Sequence, residues 1–104
     1  MIRVRFILKK GDARAEVLYR GEDAYAGADA FTFQGDESIL SHFSPRFRRR
    51  LWNLEDLLDE LHRHWWDGQF DWDMELIEPS QGPIILDNGH HLYDSRSEVA
   101  QRAL

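Results

Sequence analysis

Three stretches of the chain alternate apolar with charged or polar side chains, and this alternation limits the fold more than any other feature. Residues 2–8, 13–19 and 70–76 each place apolar side chains at every second position. A period of two is typical of a β-strand with one buried face. Gly11 lies between the first two stretches, where a tight hairpin needs a glycine. The sequence therefore predicts a β-hairpin followed, much later, by a further strand.

A main helix is predicted between these strands, at about residues 53–66. Asn53 is a good N-cap residue, and Gly68 is a typical helix terminator. An apolar stripe at helical spacing predicts the buried face, and its residues are Leu54, Leu57, Leu58, Leu61 and Trp65.

Shorter elements are predicted around this frame. They are a strand at 30–34, a helical turn at 38–43, a short helix opened by Ser44 and Pro45, a hairpin from 84–86 to 90–93 around Asp87-Asn88-Gly89, and a last helix from Ser95. Together they predict an α+β fold: a mainly antiparallel sheet of four to five strands built from hairpins, with the main helix and a short C-terminal helix packed on one face.

The 104 residues are enough for a single domain, 1–104, with one hydrophobic core. The absence of cysteine excludes disulfides and thiolate chemistry. The apolar runs are too short for a membrane span, and the alternating N-terminus is unlike a signal peptide. We therefore expect a cytoplasmic protein that does not contact a membrane.

Negative charge is concentrated in one part of the chain. Residues 64–95 hold seven acidic residues and no Lys or Arg, and the whole chain carries a net charge of -6. Side chains two apart on a strand share a face at a spacing of about 7 Å. Asp71, Asp73 and Glu75 are therefore predicted to form a row pointing away from the core, which Asp67 and Glu78 extend at either end. The row is interpreted as a surface for a basic partner; a solvated edge strand and a metal site are the alternatives.

Four tryptophans, Trp52, Trp65, Trp66 and Trp72, fall within 21 residues. Trp65 and Trp72 lie on the apolar faces of the predicted helix and strand, so both are expected in the core. Trp66 is one step off the helical stripe and adjacent to Asp67. It is either an anchor that becomes buried against a partner or a side chain lying over the edge of the core.

The histidines and arginines give weaker signals. His62 and His64 lie about 200° apart around a helix and cannot chelate one ion. Asp87, His90, His91 and Asp94 are the candidates for an acid–base or metal cluster. The run Arg46, Arg48, Arg49 and Arg50 is interpreted as neutralising the acidic first turns of the main helix, with phosphate or nucleic-acid binding as the alternative.

The chain contains no Gly-rich phosphate loop, nucleophile elbow or His-Glu-x-x-His motif. We therefore expect a non-enzymatic protein-binding module without cofactor or metal. It would act as an inhibitor of the immunity, antitoxin or phage anti-defence type, occluding a basic, nucleic-acid-handling protein without itself binding nucleic acid. The predicted partner-binding residues are Trp66, Asp67, Asp71, Asp73, Glu75 and Glu78. The alternatives are a small His/Asp-dependent hydrolase or metal enzyme, and a structural subunit or homodimer.

Overall fold

The three alternating stretches form three strands of one antiparallel sheet. A computed structural model describes residues 1–78, 84–85 and 91–92. Its elements, in chain order, are β1 (Ile2–Lys10), β2 (Ala13–Gly21), β3 (Ala30–Gly35), α1 (Glu37–Leu40), α2 (Pro45–Arg49), α3 (Leu54–Trp66), β4 (Asp71–Glu78), β5 (Ile84–Ile85) and β6 (His91–Leu92).

The four longer strands lie in the order β3-β2-β1-β4. β1 and β2 form the predicted hairpin, in which Ile2 faces Gly21 and Lys10 faces Ala13. Gly11 turns the chain with a φ of 58°, a left-handed conformation that glycine adopts without steric cost. β4 returns antiparallel to β1. The central pair is therefore β1 and β2, while β3 and β4 are the two edges.

One face of the sheet carries the core. The alternating apolar side chains of the strands are buried, with Phe6, Leu8 and Val17 at 0% exposure. The leucine stripe of α3 belongs to the same buried cluster. On the opposite face, which we call the outer face, charged side chains alternate with these apolar ones. Alternation thus separates the core from a charged surface.

Local capping fixes the helices where the sequence predicts them. The hydroxyl of Ser44 accepts a hydrogen bond from the Phe47 N–H at 3.1 Å, which opens α2. The Asn53 side chain accepts one from the Asp56 N–H at 2.8 Å, which opens α3. Gly68 follows α3 with a φ of 75°. These contacts satisfy backbone donors that the first turn of a helix leaves free.

β5 and β6 pair antiparallel as a separate two-stranded sheet, with Ile84 facing Leu92 and Ile85 facing His91. The predicted turn at 87–89 and the helix from Ser95 lie outside the described residues. The antiparallel four-stranded sheet with helices packed on it confirms the α+β fold class. Within the described part of the chain, no helix has the length and apolar character needed to cross a membrane.

Candidate protein interface

The buried stripe of α3 ends differently from the prediction. After Leu61, helical spacing allows either His64 or Trp65 to continue the stripe. His64 takes the buried position at 8% exposure, while Trp65 is 43% exposed. The His64 ring centroid lies 5.3 Å from that of Phe43 and 5.7 Å from that of Phe70. The prediction that Trp65 belongs to the core is wrong, because the side chains packed against this end of α3 lie on the His64 side.

Trp66 is still more exposed, at 77%. Its ring centroid lies 6.3 Å from that of Trp65, which in turn lies 5.4 Å from the His62 ring. We call His62, Trp65 and Trp66 the tryptophan patch. Leaving a large apolar side chain in water forgoes roughly 2–3 kcal/mol of burial free energy. Contiguous exposed aromatic surface of this kind is typical of an interaction site.

The other two tryptophans, Trp72 and Trp52, are half-buried against the core. Trp72 points to the core face of β4 and is half-buried. Its ring packs edge-on against Phe6 at a centroid distance of 5.7 Å. Trp52 is also half-buried against the core and stacks on Phe47 at 5.2 Å. The binding surface is therefore expected from Trp65 and Trp66 rather than from these two.

Two carboxylates that follow the tryptophan patch in the chain form no ion pair with any other described residue. Asp67 is the C-cap residue of α3, and Asp71 is the first residue of β4; both are exposed. The short turn through Gly68 keeps them close in the chain. Lys10 donates to the Gly68 carbonyl at 2.9 Å, between the two carboxylates in the chain. An exposed tryptophan and two carboxylates without a described ion pair therefore lie within six residues of the chain, at Trp66, Asp67 and Asp71.

The remaining predicted acids, Asp73, Glu75 and Glu78, lie farther along β4, and we call them the β4 carboxylates. Each faces a basic residue of β1 on the outer face. The nitrogen–oxygen distances are 2.5 Å for Lys9–Asp73, 3.2 Å for Arg5–Glu75 and 4.0 Å for Arg3–Glu78. Opposite charges across neighbouring strands offset the repulsion along the row. The carboxylates in this half of the predicted surface are thus already paired with basic side chains of β1.

An irregularity in β4 brings Glu78 into that row. Val4 faces Leu76 and Arg3 faces Glu78, so Ile77 is an extra residue between the two pairs. Strict alternation would place Glu78 on the core face with Leu76. The extra residue reverses the phase, and Glu78 reaches Arg3 on the outer face.

His64 is a core residue that contacts Glu60. Its Nε2 lies 2.9 Å from Oε1 of Glu60. Burial lowers the pKa of His64 despite the Glu60 carboxylate, and the charges of Arg63 and His42 lower this pKa further. The lowered pKa favours the uncharged ring at neutral pH, and the ring lies against those of Phe43 and Phe70. No group of three metal-binding side chains occurs among the residues that the structure describes.

The alternative acid–base cluster lies outside the described residues, apart from His91. Asp87, His90 and Asp94 lie outside the described residues, and His91 is described only as the β6 residue that pairs with Ile85. The hydrolase hypothesis stays a prediction.

The arginine run does not neutralise the acidic turns of α3. Arg48 donates through both terminal nitrogens to Glu37 of α1, at 3.0 and 3.1 Å. Arg50 lies over the Trp52 ring at 4.3 Å. Among the described residues, none of the run forms an ion pair with an acid of α3. That interpretation is wrong for Arg48, because α2 packs beside β3 and α1 and its described ion pair is with α1.

Comparison of the chain with models of protein families, with curated proteins and with solved structures finds no match.

Proposed function

We propose that this protein is a non-enzymatic binding module whose tryptophan patch docks onto a basic partner protein. The observation that carries the proposal is the exposure of Trp66, 77%, beside the 43% exposure of Trp65. Tryptophan is enriched among the few residues that supply most of the free energy of binding at interfaces. A pair of them at the end of a well-capped helix is a rigid anchor that loses little conformational entropy on binding.

Charge supports a basic partner. Asp67 and Asp71 follow the patch in the chain without an ion pair to another described residue, and the whole chain carries a net charge of -6. The β4 carboxylates extend the same negative edge, although they share their charge with β1. Complementary charge accelerates encounter, while the buried aromatic anchor sets the dissociation rate.

The partner class we propose is a nucleic-acid-handling protein, whose cationic substrate surface would match this edge. The chain would inhibit it by covering that surface, as immunity proteins, antitoxins and anti-defence proteins do. This role requires no turnover, metal or cofactor. It extends the binding proposal through charge complementarity alone.

The test is parallel affinity capture with the immobilised wild-type chain, Trp66→Ala and Leu51→Ala. Leu51 is the matched control, since it is an exposed apolar side chain at 52% before the opposite end of α3, about 20 Å away. Losing a tryptophan anchor weakens binding by about 2 kcal/mol or more, roughly 30-fold. We expect a basic protein that wild type and Leu51→Ala retain, that Trp66→Ala loses, and that salt elutes.

Retention of the same protein by Trp66→Ala would contradict the proposal. Retention that is insensitive to salt would leave the anchor in place and remove the electrostatic part. An acidic captured protein would contradict the partner class.

A homodimer is the second candidate, and the two open sheet edges favour it. β3 and β4 each pair with a strand on one side only among the described strands, and unpaired edges can join across copies. Light scattering at two protein concentrations separates the two functions. A mass that doubles with concentration supports self-association, and a constant monomer mass supports a module that binds another protein.

A further inference from the structure

The edge of β3 that faces away from β2 carries backbone groups without a partner among the described strands. Among the described strands, β3 pairs only with β2. The Asp36 N–H donates to the Arg14 carbonyl at 2.9 Å in the same register. Because an antiparallel ladder bonds at every second residue, Ala30, Thr32 and Gln34 point their backbone groups at β2. The N–H and C=O groups of Phe31 and Phe33 therefore point to the open edge.

Beside this edge runs a groove of about 440 Å³, which we call the β3 groove; it is lined by Phe31, Thr32, Phe33, Pro45, Arg48 and Arg49. The aromatic floor is fixed in place by edge-on packing. The Phe31 and Phe33 ring centroids lie 4.8 Å apart, and both rings pack against Phe47 of α2. The groove is thus a preformed wall and floor alongside a free strand edge.

The charge on this wall is positive and only partly neutralised. Arg48 binds Glu37 and lies 5.8 Å from the Phe33 ring centroid. Arg49 lines the groove, and Arg46 lies one turn earlier on α2. Neither Arg46 nor Arg49 forms an ion pair with another described residue. A ligand that places carboxylates against this wall would supply the missing partners.

We propose that the β3 groove docks an extended acidic segment of a partner protein, which adds to the sheet beside β3. The free N–H and C=O groups of Phe31 and Phe33 bond its backbone, and Arg49 with Arg46 binds its carboxylates. Single-stranded nucleic acid fits less well. The Phe31 and Phe33 rings are half-buried against the core, and the Arg48 guanidinium lies over the Phe33 ring, so little ring face is open to stack on bases. This site is independent of the tryptophan patch, and either proposal can fail alone.

Fluorescence anisotropy with labelled octapeptides tests the proposal on the full chain. The probe alternates Val and Glu; its controls alternate Val and Lys, or carry N-methyl groups on the Val-Glu backbone. Arg49→Glu is compared with Arg20→Glu, an exposed arginine of β2 whose reversal changes the net charge equally. We expect Arg49→Glu to weaken Val-Glu binding by about tenfold or more, and Arg20→Glu by about twofold or less.

Amide hydrogen exchange then locates the peptide. Protection of the Phe31 and Phe33 amides should rise on binding, while the Thr32 amide, which already faces β2, is the control within the same strand. The proposal is overturned if Val-Lys binds as well as Val-Glu, if N-methylation leaves affinity unchanged, or if the two arginine variants behave alike. It is also overturned if no peptide binds, or if oligo(dT) binds the groove in its place.

Discussion

The two edges of the sheet carry dense charge of opposite sign, and they differ in how much of that charge is paired within the protein. At the β4 edge, three acids in the row, Asp73, Glu75 and Glu78, meet a cation of β1. At the β3 edge, the arginines of α2 meet one described carboxylate, that of Glu37. A run of like charge in a sequence is therefore available to a partner only where the folded neighbours leave it unpaired.

The largest expected effect concerns the attachment of β3 to the sheet. Gly35 has a φ of 121°, and a Cβ there would lie 2.6 Å from the Ala15 Cα and 2.7 Å from the Arg14 carbonyl. Gly35→Ala should destabilise the fold by about 3 kcal/mol, since steric overlap adds to backbone strain. Chemical denaturation measures the loss.

Gly11 is the matched control, because its φ is also positive, at 58°, but nothing lies within 4 Å of the added Cβ. Gly11→Ala should cost only about 1 kcal/mol. If the two substitutions cost the same, β3 is not held closely against β2, and the β3 edge is less rigid than the β4 edge.

A charge swap tests the pairing at the β4 edge. Arg5→Glu faces Glu75 across the strands and should destabilise the protein by about 1 kcal/mol, because both partners are partly exposed to solvent. The double variant Arg5→Glu with Glu75→Arg should recover most of that loss. Urea unfolding of the wild type, Arg5→Glu, Glu75→Arg and the double variant gives the coupling free energy between the two side chains. A coupling of zero would mean that the β4 carboxylates are not paired in solution and belong with the free acids.

A smaller effect is expected from His64, which packs beside Phe70 where the chain enters β4. Since its pKa is lowered in the folded state, the unfolded chain binds the proton more readily. The contribution of the uncharged His64 ring to the free energy of unfolding is fully present above the unfolded pKa of about 6.5. This contribution is lost as the pH falls toward the folded pKa. His64→Phe should flatten the stability profile between about pH 7 and pH 5 relative to wild type. An identical slope in both proteins would contradict the buried, uncharged ring.

Local signals predicted most of the fold. Alternation at 2–19 and 70–76, the caps Ser44 and Asn53, and Gly11 act through neighbours in the chain, so a sequence reveals them. The candidate site was predicted less completely. Trp66 and Asp67 lie exposed at the end of α3, and their role in binding stays a prediction.

What the sequence could not reveal depends on distant residues. Arg5 and Glu75 are 70 residues apart, and no local pattern pairs them. Trp65 and His64 are equally acceptable at the end of the helical stripe, and the packing of Phe43 and Phe70 decides between them. The interpretation of the arginine run was wrong for the same reason, since α2 packs against β3 and Arg48 pairs with α1.

In the proposed function, the carboxylates of Asp67 and Asp71 attract the partner, whereas the β4 carboxylates pair with β1 and stabilise the sheet. Association rates of the captured partner test it directly, with Asp67→Asn/Asp71→Asn compared with Asp73→Asn/Glu75→Gln. Both variants remove two negative charges, so the overall field changes equally. We predict that the first slows association by about tenfold at low salt and the second by about twofold or less. Equal slowing by both would contradict the account.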